Sequence, residues 1–197
     1  MSHEISLAVW DLSSPAVTGH RATLKVGVSC PYGCSLTATP IEVRDEQGAT
    51  LGVGVVGSDP WRGTMALYWV ELDVAAPRTE GTHTWSIHAT APDGEHAAIE
   101  STVRVVASRP TEHRVTFEVS EQGSGIPLAD VELRIGAFRA TTDDAGRAHI
   151  DVPGGTYYVH AWKLGYDALS SAASVTADTT LRLEVAVTQS PEQPYWM

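Results

Sequence analysis

This sequence predicts an all-β protein built as two tandem β-sandwiches, on three observations. Apolar residues alternate with polar ones at period two along most of the chain, and almost no segment spaces them as a helix would. Turn-forming clusters of Gly, Pro, Asp and Ser punctuate these runs at short intervals. The chain has 197 residues, long for one small β domain and suited to two of about 100.

In the first half, Ala22, Leu24, Val26 and Val28 alternate with Thr23, Lys25, Gly27 and Ser29. The next clear run is Ala66, Tyr68, Val70, Leu72 and Val74. Its other face, Met65, Leu67 and Trp69, is also apolar, which predicts cover on both sides of its first half. Trp85, Ile87 and Ala89 follow, then Ile99, Ser101, Val103 and Val105. Turns are expected at Ser14-Pro15, Pro31-Tyr32-Gly33, Asp45 to Gly48, Glu80-Gly81 and Pro92-Asp93-Gly94. Short strands with such punctuation read as an immunoglobulin-like sandwich over residues 1–108, without the widely spaced Cys…Trp…Cys of antibody domains.

Pro110 lacks an N–H and holds Arg109 extended, so 109–112 reads as a linker. Alternation then resumes with Val115, Phe117 and Val119; Val131, Leu133 and Ile135; Ala148, Ile150 and Val152; Tyr157, Val159 and Ala161; and Leu181, Leu183, Val185 and Val187. Asp143 or Asp144 is placed to cap its own turn, with Gly146 at positive φ. The Tyr157 hydroxyl is expected to bond a backbone carbonyl at the Pro153-Gly154-Gly155 corner.

The stretch Gly125-Ile126-Pro127-Leu128-Ala129-Asp130-Val131, followed by the Thr142-Asp143-x-x-Gly146 turn, an alternating strand, the Pro153-Gly154-Gly155-Thr156-Tyr157 corner and a closing Gly165-Tyr166, resembles the carboxypeptidase regulatory-like domain. That family is a seven-stranded sandwich related to transthyretin, and the resemblance spans roughly 113–188. It implies an accessory or adhesive role beside catalytic domains. The 5-hydroxyisourate hydrolases among transthyretin relatives depend on a Tyr-Arg-Gly-Ser that occurs nowhere here. Intradiol dioxygenases bind iron through two Tyr and two His; Tyr157, Tyr158, His160 and Tyr166 supply residue types, but alternation sets Tyr157 opposite His160.

Thirteen Lys and Arg against 24 Asp and Glu give a net charge of −11, which disfavours nucleic acid. The N-terminus has no basic segment followed by an apolar run of signal length, and about 18 apolar residues nowhere run together, so a cytoplasmic protein with no membrane partner is expected. Nothing matches a nucleophile elbow, a phosphate loop or a dinucleotide fingerprint. Neither an enzyme nor a cofactor of its own is expected.

Candidate contacts lie toward the C-terminus. A hairpin through Pro153 would pair Val152–Tyr157, Ile150–Val159 and Ala148–Ala161 inward, and Asp151–Tyr158, His149–His160 and Arg147–Trp162 outward. Its outer face would join Arg147, His149, Tyr158, His160 and Trp162, types enriched in interface cores. His149 beside His160 would supply half a metal site, with further ligands lacking. Residues 189–197 are expected as an extended tail whose Tyr195, Trp196 and Met197 dock on a surface. The expected role is a non-catalytic accessory subunit that binds and orients a larger cytoplasmic enzyme. A carbohydrate- or surface-binding adhesion module and a self-assembling homo-oligomer are the alternatives, the former disfavoured by the absence of any asparagine.

Cys30 and Cys34 are expected to bracket a hairpin turn, as thiols first, a local disulfide second, a metal or redox site third. His83 and His88 fall on opposite faces of one strand. His96 is expected to be solvated in a turn, and Asp59 to Gly63, with Trp61 at its tip, to close the sandwich end as a lid rather than serve as a docking knob.

Overall fold

The computed structural model describes residues 4–92 and 94–188, and among these every regular element is a strand. Contacts divide the chain between Arg109 and Pro110 into two compact units. No helix among the described residues is long and apolar enough to cross a membrane.

The first unit comprises β1 (Ser6–Trp10), β2 (Ala16–Val17), β3 (Arg21–Ser29), β4 (Pro40–Arg44), β5 (Thr50–Val55), β6 (Tyr68–Ala75), β7 (Gly81–Ala89) and β8 (Ile99–Ser108). One sheet has the order β1-β3-β6 and the other β2-β8-β7-β4-β5, with β2 parallel to β8. This distribution of strands, with the second and fifth main strands in one layer and the third, sixth and seventh in the other, is that of an immunoglobulin-like sandwich. Leu24, Val26 and Val28 of β3 meet Ile41, Val43, Trp85 and Ile87 of the facing sheet in one core. Alternation drives this arrangement, since every second residue of β3 is buried.

The second unit comprises β9 (His113–Glu121), β10 (Glu132–Ile135), β11 (Phe138–Thr141), β12 (Arg147–Val152), β13 (Gly155–Trp162), β14 (Leu169–Val175) and β15 (Thr179–Val185). The sheets are β11-β10-β13-β14 and β12-β9-β15, with β15 parallel to β9. Val115, Phe117, Leu133, Ile135, Val152 and Val159 centre a separate core. Val187, expected inward on the last strand, lies past its end, half exposed and bridged to Tyr166.

Two local predictions hold atom by atom. Asp143 Oδ1 accepts from Ala145 N at 2.9 Å and Arg147 N at 2.8 Å, closing the turn in which Gly146 has φ 69°. A Cβ on Gly146 would fall on the Val119 carbonyl oxygen. The Tyr157 hydroxyl donates to Pro153 O at 2.7 Å.

The predicted hairpin does not form. Val152 pairs with His113 of β9, whereas Gly155 pairs with Val175 of β14, so the chain crosses from one sheet to the other between them. Pro153 has no ladder donor and its carbonyl is taken by Tyr157, while Val152 O accepts from Glu112 N at 3.1 Å. The segment is therefore a corner between layers. Inward and outward assignments survive, because alternation is local, but the outward residues of β12 and β13 lie on opposite faces of the sandwich.

Candidate functional site

The outer face of sheet β11-β10-β13-β14 carries the aromatic part of the predicted surface. Thr156, Tyr158, His160 and Trp162 alternate outward along β13 while Val159 and Ala161 point into the core. Tyr158 is 71% exposed and Trp162 50%. On one side, β10 sets Arg134 opposite His160 and Glu132 opposite Trp162, and β11 sets Arg139 opposite Arg134 and Thr141 opposite Glu132. Arg134 is oriented by a 2.9 Å bond from Nε to Gly136 O. Together these residues line an open groove of about 600 Å³. On the other side, β14 offers only Ser170, Ala172 and Ser174 outward, with Ala172 opposite Tyr158 and Ser170 opposite His160. These small neighbours leave one flank of Tyr158 and of His160 uncovered.

Arg147 and His149 are not part of this face. They project from β12 on the opposite side, into a polar ladder with β9 and β15. There Arg147 Nη2 lies 3.3 Å from Glu118 Oε1, Arg182 Nε lies 3.0 Å from Glu118 Oε2, and Arg114 grips Asp151 with two bonds of 2.8 and 3.1 Å. His149 Nδ1 lies 3.0 Å from Thr116 Oγ1. Arg182 and Arg147 hold the Glu118 carboxyl below its ordinary range, and Arg114 does the same for Asp151. The His149–His160 pair is thereby dissolved, because its two imidazoles belong to different sheets. Tyr195, Trp196 and Met197 lie outside the described residues.

In the first unit the expected lid is absent. Trp61 lies on the outer face of sheet β1-β3-β6, edge-on to Trp10 at 5.1 Å and to Trp69 at 4.9 Å between ring centroids. Lys25 Nζ sits 5.3 Å from the Trp61 ring and 5.8 Å from Trp69, and is bonded to Asp11 at 2.6 Å. Trp10 and Trp69 are cross-strand neighbours of Lys25 and Gly27 on β3, so a run of outward rings draws the loop onto the sheet. His83 and His88 do occupy opposite faces of β7, His83 bonding Thr79 O at 2.9 Å and His88 lying 3.1 Å from Ser86 Oγ.

The cysteines and His96 depart most from expectation. Cys30 follows the end of β3, and a tight turn with Gly33 N bonded to Cys30 O at 3.0 Å brings Cys34 back beside it, Sγ to Sγ at 3.3 Å. This is a turn but not a hairpin, since β3 and β4 belong to different sheets. His96, arriving from the connection after β7, is only 7% exposed, and Cys30 only 3%. One donor atom from each of Cys30, Cys34 and His96 lies within 4.8 Å of the others. Burial alone would raise the Cys30 thiol. The main-chain N–H of Tyr32, then the Cys34 thiol, the His96 ring and the Cys34 backbone, outweigh it and draw the thiol from 9.0 down to about 6. Sequence spacing alone gives no sign that His96, more than 60 positions downstream, joins the pair.

Residues 114–188 match the family model of the carboxypeptidase regulatory-like domain. The second unit is such a domain. The match spans less than half of the chain. No curated protein matches the chain. Similar solved structures include BcpA, the major pilin subunit of Bacillus cereus, at 12% identity and TM-score 0.34, covering 93% of this chain and 71% of that one. A Ca2+-stabilized adhesin with which an Antarctic bacterium binds ice aligns at 11% identity and TM-score 0.38, over 91% of this chain and 50% of that one. The N-terminal Ig1-2 module of the Drosophila receptor protein tyrosine phosphatase DLAR aligns at 13% and 0.32, over 91% and 100%. At such scores the likenesses say nothing about what this chain binds. An immunoglobulin-like sandwich followed by a regulatory-like domain is an architecture consistent with a non-catalytic module.

Proposed function

We propose that this chain is a non-catalytic accessory module that binds and orients a larger cytoplasmic enzyme through the outer face of β10, β11, β13 and β14 in its regulatory-like domain. The observation that carries the reading is the uncovered Tyr158–His160–Trp162 row beside Arg134 and Arg139. Exposed aromatic rings in a contiguous patch are costly to hydrate, and Trp, Tyr and Arg are the types that dominate binding energy when a partner covers them. The groove gives a partner access to one flank of His160 and Trp162, and the small residues of β14 give access to a flank of Tyr158 and His160. Two arginines against Glu132 make this patch locally positive on a chain of net charge −11, which favours a partner surface bearing carboxylates and apolar pockets. Arg147 and His149, already engaged in the opposite ladder, are left out of the binding face.

Affinity capture from the native source with the full chain tests this. Stoichiometric recovery of one larger protein supports the proposal. Recovery of a lone monomer at native concentration overturns it, and so do glycan binding without a protein partner and unaided self-association in sedimentation.

A further inference from the structure

The end of the first unit where β3 and β7 run out gathers a chemistry that the binding face does not use. Cys30 and Cys34 come from the connection that leaves the β1-β3-β6 sheet, and His96 from the connection that leaves β7 in the facing sheet. Two of the three side chains are buried and Cys34 lies at the rim.

We propose that Cys30, Cys34 and His96 form a Cys2His site for a thiophilic divalent ion of the zinc class. The donor set decides the class: two thiolates and an imidazole suit zinc-like ions, while Mg²⁺ and Ca²⁺ require oxygen. Size agrees as well. Tetrahedral zinc, with bonds of roughly 2.3 Å to sulfur and 2.0 Å to nitrogen, sets its donors roughly 3.5 to 3.8 Å apart. The observed sulfurs at 3.3 Å, and all three donors within 4.8 Å, need shifts of only a fraction of an ångström to about one. Charge agrees too. Each thiol releases its proton to solvent on binding, the imidazole gives a neutral lone pair, and a dication with two thiolates is electrically neutral, which a buried position tolerates. Three protein ligands leave a fourth position for water or an exogenous ligand. The ion ties together the connections that leave the two sheets.

The test uses the untagged full chain, reduced and freed of metal, titrated with Co²⁺ and then Zn²⁺. We expect one equivalent of Co²⁺ per chain with thiolate-to-cobalt charge-transfer absorption and tetrahedral ligand-field bands, displaced by Zn²⁺, and a Zn²⁺-dependent rise in Tm. Cys30 is too buried for a safe substitution, so Cys34→Ser at the rim and His96→Gln carry the comparison, each checked for native circular dichroism. Each should weaken Zn²⁺ binding by more than about 100-fold, beyond the loss typical of an outer-shell partner. No charge-transfer band in the folded, reduced chain overturns the proposal. So does undiminished affinity in Cys34→Ser, or a Cys30–Cys34 disulfide that forms despite excess Zn²⁺.

Discussion

Glu42 shows how one side chain is tuned on an otherwise ordinary sheet. Its carboxylate accepts from Arg44 Nη2 at 2.6 Å and from the Thr50 hydroxyl, and these bonds outweigh partial burial to bring it from 4.5 to about 2. A carboxyl depressed on folding stabilises the native state fully above its unfolded value and loses that contribution as pH falls through the folded one. The Tm of the wild type should therefore fall more steeply than that of Glu42→Gln between about pH 4.5 and 2, as scanning calorimetry across that window would show; parallel curves would contradict the assignment. At the corner, Tyr157→Phe removes the 2.7 Å bond to Pro153 O and should cost about 1 kcal/mol in urea unfolding. Gly146→Ala, at positive φ with Val119 O in the way, should cost about 2 kcal/mol or more by the same assay. Such positions were legible in the sequence because Asp, Gly and Tyr act on their own turn. His96 was not, because a turn histidine says nothing about what the fold brings beside it.

Strands were legible in proportion to their alternation. Along β3, β7, β9 and β13 the period-two pattern assigned the buried face correctly. It left β5, with glycines at alternate positions, and β14, mostly Ser and Ala, without a usable signal. Alternation also states which way a side chain points but not which sheet owns it. The β12–β13 segment therefore read as a hairpin, when a proline and one hydroxyl bond make it a corner. Trp61 illustrates the same limit: an aromatic loop tip was expected over the core, but Trp10 and Trp69 on an outer face offered it rings. That outer layer has its own tight point at Gly27, where a Cβ would lie 2.8 Å from Leu67 Cδ1 and 2.9 Å from Trp10 Cζ3. Gly27→Ala should lower stability by about 1–3 kcal/mol in denaturant unfolding and perturb tryptophan fluorescence; a neutral substitution would show that the layer is loosely packed.

Each of the two units carries its own hydrophobic cluster, with no residue shared between the clusters. A chain of residues 110–188 should accordingly fold alone, with strand circular dichroism and a cooperative thermal transition; a broad, non-cooperative melt would contradict an independent second core. The binding proposal belongs to this scale as well, because it requires one sheet face of the regulatory-like domain to be used and the opposite one to be left. The direct measurement is the affinity of the captured partner for two double variants that leave the cores intact. Tyr158→Ser with Trp162→Ser should weaken binding at least about 100-fold, while Arg147→Ser with His149→Ser should stay within a few-fold of wild type. Equal losses from both pairs, or wild-type affinity in the variant lacking the rings, would contradict the account.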